Sequence, residues 1–286
     1  MSYRPFISSY PVIFITIFSF LFHGGCGENN SPVPSAPVKR IISLSPSITG
    51  QIIDLGAEDD IVGITPYHPP LKKEIPLVGT YITPSIEKIV TLKPDIIFMS
   101  EEDGEVQENS FFQKFGLRYH RFGRNSDFKS ICNNYFKLAE MIGKRDQAVK
   151  KIEYYTGRLQ NVRRSSSKYK VAFLVSVKPL ITVSKSSHIS DIIEQAGGIN
   201  VFSDLAGSYP ILTLESLIVK NPDLVIIMIP GEDLYLYSRL KSFRKIDFIN
   251  RKNIFVAGDQ YIPYYSPGEF VLSVEKISKI LSLVNK

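Results

Sequence analysis

The stretch Ser85-Ile86-Glu87-Lys88-Ile89-Val90-Thr91-Leu92-Lys93-Pro94-Asp95 runs into the apolar Ile96-Ile97-Phe98. It returns as Thr213-Leu214-Glu215-Ser216-Leu217-Ile218-Val219-Lys220-Asn221-Pro222-Asp223, which runs into Leu224-Val225-Ile226. In each copy a hydroxyl residue opens a short helix, a glutamate follows two places on, and Pro-Asp arrives seven steps after the glutamate to stop the helix and begin a strand. Working outward, Ile48-Thr49-Gly50-Gln51-Ile52-Ile53-Asp54-Leu55-Gly56 matches Ile189-Ser190-Asp191-Ile192-Ile193-Glu194-Gln195-Ala196-Gly197 in residue type. Both read as helices that end at a glycine suited to the left-handed cap. A repeat of this length, built from helix and strand together, predicts two related α/β lobes.

Short apolar runs alternate with helical patterns from Lys39 onward, which argues for mostly parallel sheets covered by helices. The expected strands are Arg40 to Leu44, Ile61 to Ile64, Asp95 to Met99, Tyr169 to Ser176, Asp223 to Met228 and Asn253 to Ala257. Between the halves, Ile131, Tyr135, Leu138, Met141, Ile142, Val149, Ile152 and Leu159 recur at helical spacing with no proline. One long helix over 126–164 is expected to join an N-terminal lobe, 39–125, to a C-terminal lobe, 165–286. Ser266-Pro267-Gly268-Glu269 has the form of a capping box and opens a structural last helix with an apolar face of Phe270, Val271, Val274, Ile277, Ile280 and Leu281.

Residues 1–26 differ from the rest. Arg4 is their only charge, an apolar run spans Tyr10 to Phe22, and Gly24 and Gly25 precede Cys26. This is the layout of an export signal, and the run is shorter than the roughly 20 apolar residues that cross a bilayer. The polar, proline-rich 27–38 cannot pack into a core and reads as a tether. The order resembles a bacterial lipoprotein signal, which implies lipidation of Cys26, although His23 stands three places before the cysteine where an aliphatic residue is usual. An ordinary cleaved signal is the alternative. The only other cysteine is Cys132, within the helical pattern, so a lipidated Cys26 leaves no intramolecular disulfide. A net charge of +6 is mild and spread along the chain, and no aromatic-basic interleaving marks a nucleic-acid surface.

Enzyme signatures are scarce: there is no G-x-S-x-G elbow, Walker loop, G-x-G-x-x-G turn or H-E-x-x-H pair, which removes the common ways of being an enzyme. His23, His68, His120 and His188 are scattered, and the cysteine count excludes a zinc set built on cysteines. No catalytic residue, cofactor or metal is expected. A two-lobe arrangement instead predicts a ligand cleft between the lobes, where the carboxyl ends of the strands face each other. Loops expected to reach it carry tyrosines beside prolines: Tyr67 in Pro66-Tyr67-His68-Pro69-Pro70, Tyr81 in Thr80-Tyr81-Ile82-Thr83-Pro84, Tyr209 in Ser208-Tyr209-Pro210, and Tyr261 in Tyr261-Ile262-Pro263. Phenol rings offer a flat apolar face and one hydroxyl, which suits a large planar ligand with polar edges. The alternative is that some of these rings plug lobe cores. Ser45 and Asp259 complete the expected ligand-binding set.

The run Arg40-Ile41-Ile42-Ser43-Leu44-Ser45-Pro46-Ser47 resembles the periplasmic binding proteins of vitamin B12, haem and siderophore importers. So do Val78-Gly79-Thr80-Tyr81, the repeated helix-to-strand segment, and Ile192-Ile193-Glu194-Gln195-Ala196-Gly197-Gly198. The resemblance spans residues 39–285. It implies a rigid connecting helix, little hinge motion, and delivery of the ligand to an ATP-driven permease dimer. It also implies that Glu87 and Glu215, one per lobe, dock on the two permease subunits. Tyr67, Tyr81 and Tyr209 are similar in placement to the aromatic residues of the cobalamin-binding branch. Thr80 stands where the haem-binding branch carries an iron-ligating tyrosine, so cobalamin or a related corrinoid is the expected ligand, with haem or a ferric siderophore as alternatives. The implied location is periplasmic or cell-surface, lipid-anchored to the membrane. Two competing readings are a tethered extracytoplasmic enzyme using Asp259 or His188 and a receptor that works without a permease.

Overall fold

The computed structural model describes residues 38–103, 109–163, 168–240, 247–257 and 266–284. Cys26, Tyr261 and Asp259 lie outside the described residues, as do the export segment and all of the tether but Val38. The first lobe runs β1 (Ile41–Ser43), α1 (Pro46–Asp54), β2 (Ile61–Ile64), α2 (Ile86–Thr91), β3 (Ile96–Ser100), α3 (Asn109–Lys114) and β4 (Tyr119–Phe122). Two helices follow, α4 (Phe128–Met141) and α5 (Arg145–Gln160). The second lobe opens with β5 (Lys170–Val177), β6 (Leu180–Thr182), α6 (His188–Gln195), β7 (Ile199–Asn200) and α7 (Leu214–Lys220). It closes with β8 (Leu224–Ile227), α8 (Glu232–Leu240), α9 (Asp247–Asn250), β9 (Ile254–Val256) and α10 (Pro267–Ser282).

The repeat is a repeat of topology. The first sheet has the order β2-β1-β3-β4, all parallel. In the second, β7 and β8 flank β5 and β9 follows β8, again in parallel, and β6 adds an antiparallel hairpin strand to β5. Registers correspond: Ile41 lies beside Ile96 and Val171 beside Leu224. The Pro-Asp that ends each repeated helix explains this. Just before it the backbone turns left-handed, φ 46° at Lys93 and 40° at Asn221. The Asp95 carboxylate then accepts from the backbone N–H of Lys39 at 2.8 Å and of Arg40 at 2.9 Å. The Asp223 carboxylate accepts from Lys170 N–H at 2.7 Å. Each aspartate therefore pins the first strand of its lobe beside the strand it begins.

All six expected strands form, within one or two residues. β4, β6 and β7 were not expected: β4 reads Tyr-His-Arg-Phe with two polar residues, and the other two are too short for a pattern. The helical connection over 126–164 needs correction, since it is two helices and not one. At the break, Gly143 takes φ 70°, its N–H donates to Glu140 O at 3.3 Å, and Lys144 N–H donates to Ala139 O at 2.7 Å. This is a Schellman stop, which glycine adopts without the steric cost other residues meet. Apolar periodicity continues across it because both helices face the same cores.

Those two helices bind the lobes together. α4 sends Ile131 and the half-buried Phe128 into the core of the second lobe, and Tyr135, Leu138, Ala139 and Met141 into the core of the first. α5 runs back, with Ala148 in the first core and Leu159 in the second. Each large side chain so buried contributes about 1.5–3 kcal/mol. α10 closes the same seam: Gly268 packs on Tyr155 so tightly that a Cβ would lie 2.7 Å from the ring. Arg158 makes a bidentate pair with Glu275 at 2.6 and 2.7 Å. Asp54, at the end of α1, accepts from the Tyr135 hydroxyl and from Lys151 Nζ, the latter at 2.7 Å. Cys132 is half-buried and burial pushes its thiol up to about 12, which leaves it inert.

Glu269 closes the α10 capping box with Ser266. Burial, reinforced by the Asp54 carboxylate, pushes its pKa up to about 7. The folded state then holds this proton more tightly than the unfolded chain, whose glutamate titrates near 4.5. Stability therefore falls as pH rises from about 4.5 to 7, by up to about 3 kcal/mol from this one group. Glu269→Gln keeps a capping acceptor and removes the charge. Urea midpoints measured against pH should show a shallower decline for the variant and a more stable variant at pH 8. Parallel profiles would show that Glu269 ionises in the fold as it does in water. A second expectation concerns the stop at Gly143. Gly143→Ala should cost about 1 kcal/mol in chemical denaturation through the left-handed residue alone, whereas an unchanged midpoint would mean that the break is not held there.

Candidate functional site

In a parallel sheet every strand ends on the same edge, so the loops after β1, β2, β3 and β4, and those after β5, β7, β8 and β9, gather at one edge of each lobe. Open α/β sheets bind ligands in the crevice outside these carboxyl ends. The expected tyrosines belong to these loops, and three of them lie in the described residues.

Tyr67 stands three residues past β2. It is 90% exposed, with φ 67°, a backbone region that bulky residues rarely enter. The loop that carries it is anchored at both ends. Glu58 accepts from Lys72 N–H at 2.5 Å, and Val78 N–H donates to Ile64 O at 2.9 Å. Next to it, His68 Nδ1 lies 2.8 Å from Pro69 O.

Tyr81 sits at the tip of a turn that closes between Gly79 and Pro84. Gly79 has φ 96°, and a Cβ there would lie 2.6 Å from Thr83 O, so the turn requires glycine. The Thr80 and Thr83 hydroxyls, 2.9 Å apart, brace it. Tyr81 is half-exposed, and Ile82 beside it is exposed.

In the second lobe β6 holds the Tyr209 loop. Thr182 N–H donates to Pro210 O at 3.0 Å, Ser184 N–H to Ser208 O at 3.1 Å, and Leu212 N–H to Leu180 O at 2.8 Å. Tyr209 is half-buried against the core of its lobe, so the core-plugging alternative holds for part of this ring. Ile211, two residues on, is 71% exposed.

Ser45 is fully buried. Its hydroxyl lies 2.8 Å from that of Ser47 and also lowers the pKa of the nearby Asp103 carboxyl. Ser43 and Thr49 hydroxyls donate to Ser45 O at 3.0 Å each. Ser45 thus shapes the edge from behind. Burial pushes Asp103 up to about 6, against the lowering influence of the Ser45 hydroxyl. Glu102 is raised by burial as well, and its carboxylate accepts from Asn125 N–H at 2.7 Å. The sequence reading passed over this pair, whose signal was the acidic run Glu101-Glu102-Asp103 directly after an apolar strand. It also passed over Lys178, whose Nζ lies 3.6 Å from the Tyr235 ring centroid at the end of β5, and over the exposed Ile82, Ile211 and Leu234.

Glu87 and Glu215 are both exposed at the second position of α2 and α7, in matching places of the two lobes. Each helix is capped alike: Ser85 Oγ accepts from Lys88 N–H and Thr213 Oγ1 from Ser216 N–H. Negative charge is favoured there by the helix dipole. His120 and His188 are buried, and Asp259 lies outside the described residues, so the enzyme reading gains no exposed histidine from His188.

Known proteins share the fold of this chain. A vitamin B12-binding protein of Vibrio cholerae is 28% identical over 194 residues, covering 66% of this chain and 70% of that one. A vitamin B12-binding protein of Photorhabdus laumondii is 26% identical over 198 residues, covering 68% and 71%. Among solved structures, the periplasmic vitamin B12 binding protein of Vibrio cholerae superposes with a TM-score of 0.71 at 21% identity, covering 87% of this chain and 99% of that one. The periplasmic heme binding protein of the same organism gives 0.74 at 20% identity, covering 85% and 98%. These likenesses show the fold, two α/β lobes with parallel sheets. Residues 41–259 match the periplasmic binding protein family, and with two duplicated lobes that turn their strand ends and tyrosine loops to one edge each, the chain belongs to that family.

Proposed function

We propose that this protein is the extracytoplasmic binding component of an ATP-driven importer, which captures cobalamin or a related corrinoid and hands it unchanged to a permease dimer. Tyr67, Tyr81, Tyr209 and Tyr261 take the ligand, with Ser45 supporting the edge from behind and Asp259 adding a polar contact. Glu87 and Glu215 dock on the permease, and lipid on Cys26 holds the protein at the membrane, on the periplasmic side or the cell surface. The carrying observation is that braced loops bring aromatic rings to the strand ends: in the first lobe the exposed Tyr67 and Tyr81 at a glycine-closed tip, and in the second the half-buried Tyr209 on the loop that β6 holds. Rings held this way lose little freedom on binding, and a planar macrocycle can stack on them. The vitamin B12-binding relatives support the corrinoid, and their binding role supports a carrier over an enzyme. A second reading, haem, rests on the Tyr81 hydroxyl at the turn tip as an iron ligand.

Calorimetric titration of the purified full chain with cobinamide, cobalamin and haem decides between them. Saturation with corrinoid is expected, and saturation with haem alone would replace the ligand while keeping the class. Tyr81→Ala combined with Tyr209→Ala should weaken binding by at least about a hundredfold. In contrast, Glu87→Ala with Glu215→Ala should leave affinity unchanged and abolish ligand uptake by cells. A glutamate pair that alters affinity would contradict the docking role.

A further inference from the structure

Three histidines lie in the described residues, and two are closed to any ligand: His120 and His188 are each 2% exposed. His68 is half-exposed, and it lines an open depression of about 440 Å³ with Leu71, Ile75 and Leu77 and with the charged Lys72, Lys73 and Glu74, instead of packing into a core. Its Nδ1 lies 2.8 Å from Pro69 O. A carbonyl only accepts, so Nδ1 carries the proton and donates. In the neutral ring the lone pair then resides on Nε2, which has no protein partner among the described residues. A backbone carbonyl on one nitrogen, fixing tautomer and ring direction while the other nitrogen stays free, is the arrangement that metal-ligating imidazoles use.

The surrounding loop has the stiffness such a ligand needs. Pro66, Pro69 and Pro70 restrict its backbone, and the Glu58 carboxylate holds its far arm through Lys72 N–H. His68 follows the most exposed tyrosine of the described residues and lies four residues past the carboxyl end of β2. Corrinoids and haem share one chemical feature, a metal at the centre of a flat macrocycle with axial positions above and below the plane.

We propose that His68 Nε2 coordinates the metal of the bound tetrapyrrole from the side of the first lobe. This rests on the cargo being such a macrocycle, as proposed above. The step is a ligand exchange: the Nε2 lone pair forms the bond to the metal, an axial water leaves, and no electron or proton is transferred.

Absorption spectra of the purified full chain test this, with diaquocobinamide and ferric protoporphyrin as probes and ligand retention on desalting as a separate measure of binding. A red shift of the bands on binding is expected for whichever probe is retained, cobalt and iron being told apart by their own spectra. His68→Ala should retain the probe with affinity lowered at least about tenfold, lose the shift, and recover it when free imidazole is added. His68→Gln should also lose the shift, which a merely structural histidine would not cause. An identical spectrum for wild type and His68→Ala, with the probe still retained, would overturn the coordination and leave the cleft reading standing. Retention of neither probe by the wild type would overturn the cleft reading itself, and this proposal with it.

Discussion

Parallel strands impose the constraint on which this molecule depends. Such a strand cannot turn straight back onto its neighbour; the chain must cross over through a helix and re-enter from the same end. All carboxyl ends of a lobe therefore reach one edge, together with the loops that leave them. Asp95 and Asp223 hold this order in register, each bonding the N–H groups that begin the central strand of its lobe. Without that pin the central strands β1 and β5 would lose their alignment with β3 and β8, and with it the placement of Ser45 at one edge and of the β5–β6 hairpin at the other.

The second element is the seam. α4 and α5 each bury residues in the core on one face of both sheets, while the opposite face of each sheet is covered from within its own lobe. Relative movement of the lobes would open apolar contacts and strain the Arg158–Glu275 pair. Phe128 N–H, which donates to Asp191 of α6 at 2.9 Å, ties the start of the connection to the second lobe as well. A seam built this way favours small adjustments over wide hinge closure, so ligand selection falls to loops that are set before binding. The close fit of Gly268 on Tyr155 points the same way, since it leaves no slack where α10 meets α5.

Much of this was legible in the residues. The matched segments ending in Lys93-Pro94-Asp95 and Asn221-Pro222-Asp223 revealed the duplication because left-handed turn, proline and aspartate are each demanded by local geometry. The capping box at Ser266 was legible for the same reason. What stayed hidden depended on distance or on shortness. β6 has three residues and no apolar rhythm, yet it braces the Tyr209 loop. Glycine at 143 is an ordinary helix stop, but the apolar spacing that continued past it outweighed the signal. At the site, loop tyrosines could be read from proline neighbours. The burial of Ser45 and the raised pKa of Asp103 arise from strands that meet only in the fold.

The electrostatic setting of the edge is mixed. Glu102, Asp103 and Glu232 stand near strand ends, whereas Lys178 is engaged over the Tyr235 ring. With the exposed Lys72 and Lys73 beside His68 and Lys185 on the second lobe, the edge carries charge of both signs and no single uniform field. The central claim is that both lobes grip one flat cargo between their strand ends. A crystal structure of the full chain grown with cobinamide tests it most directly. The account predicts a macrocycle in the crevice, in contact with Tyr67 or Tyr81 on one side and Tyr209 on the other, with the helical seam unchanged. A cargo bound to the outer face of a single lobe, away from the strand ends, would contradict it.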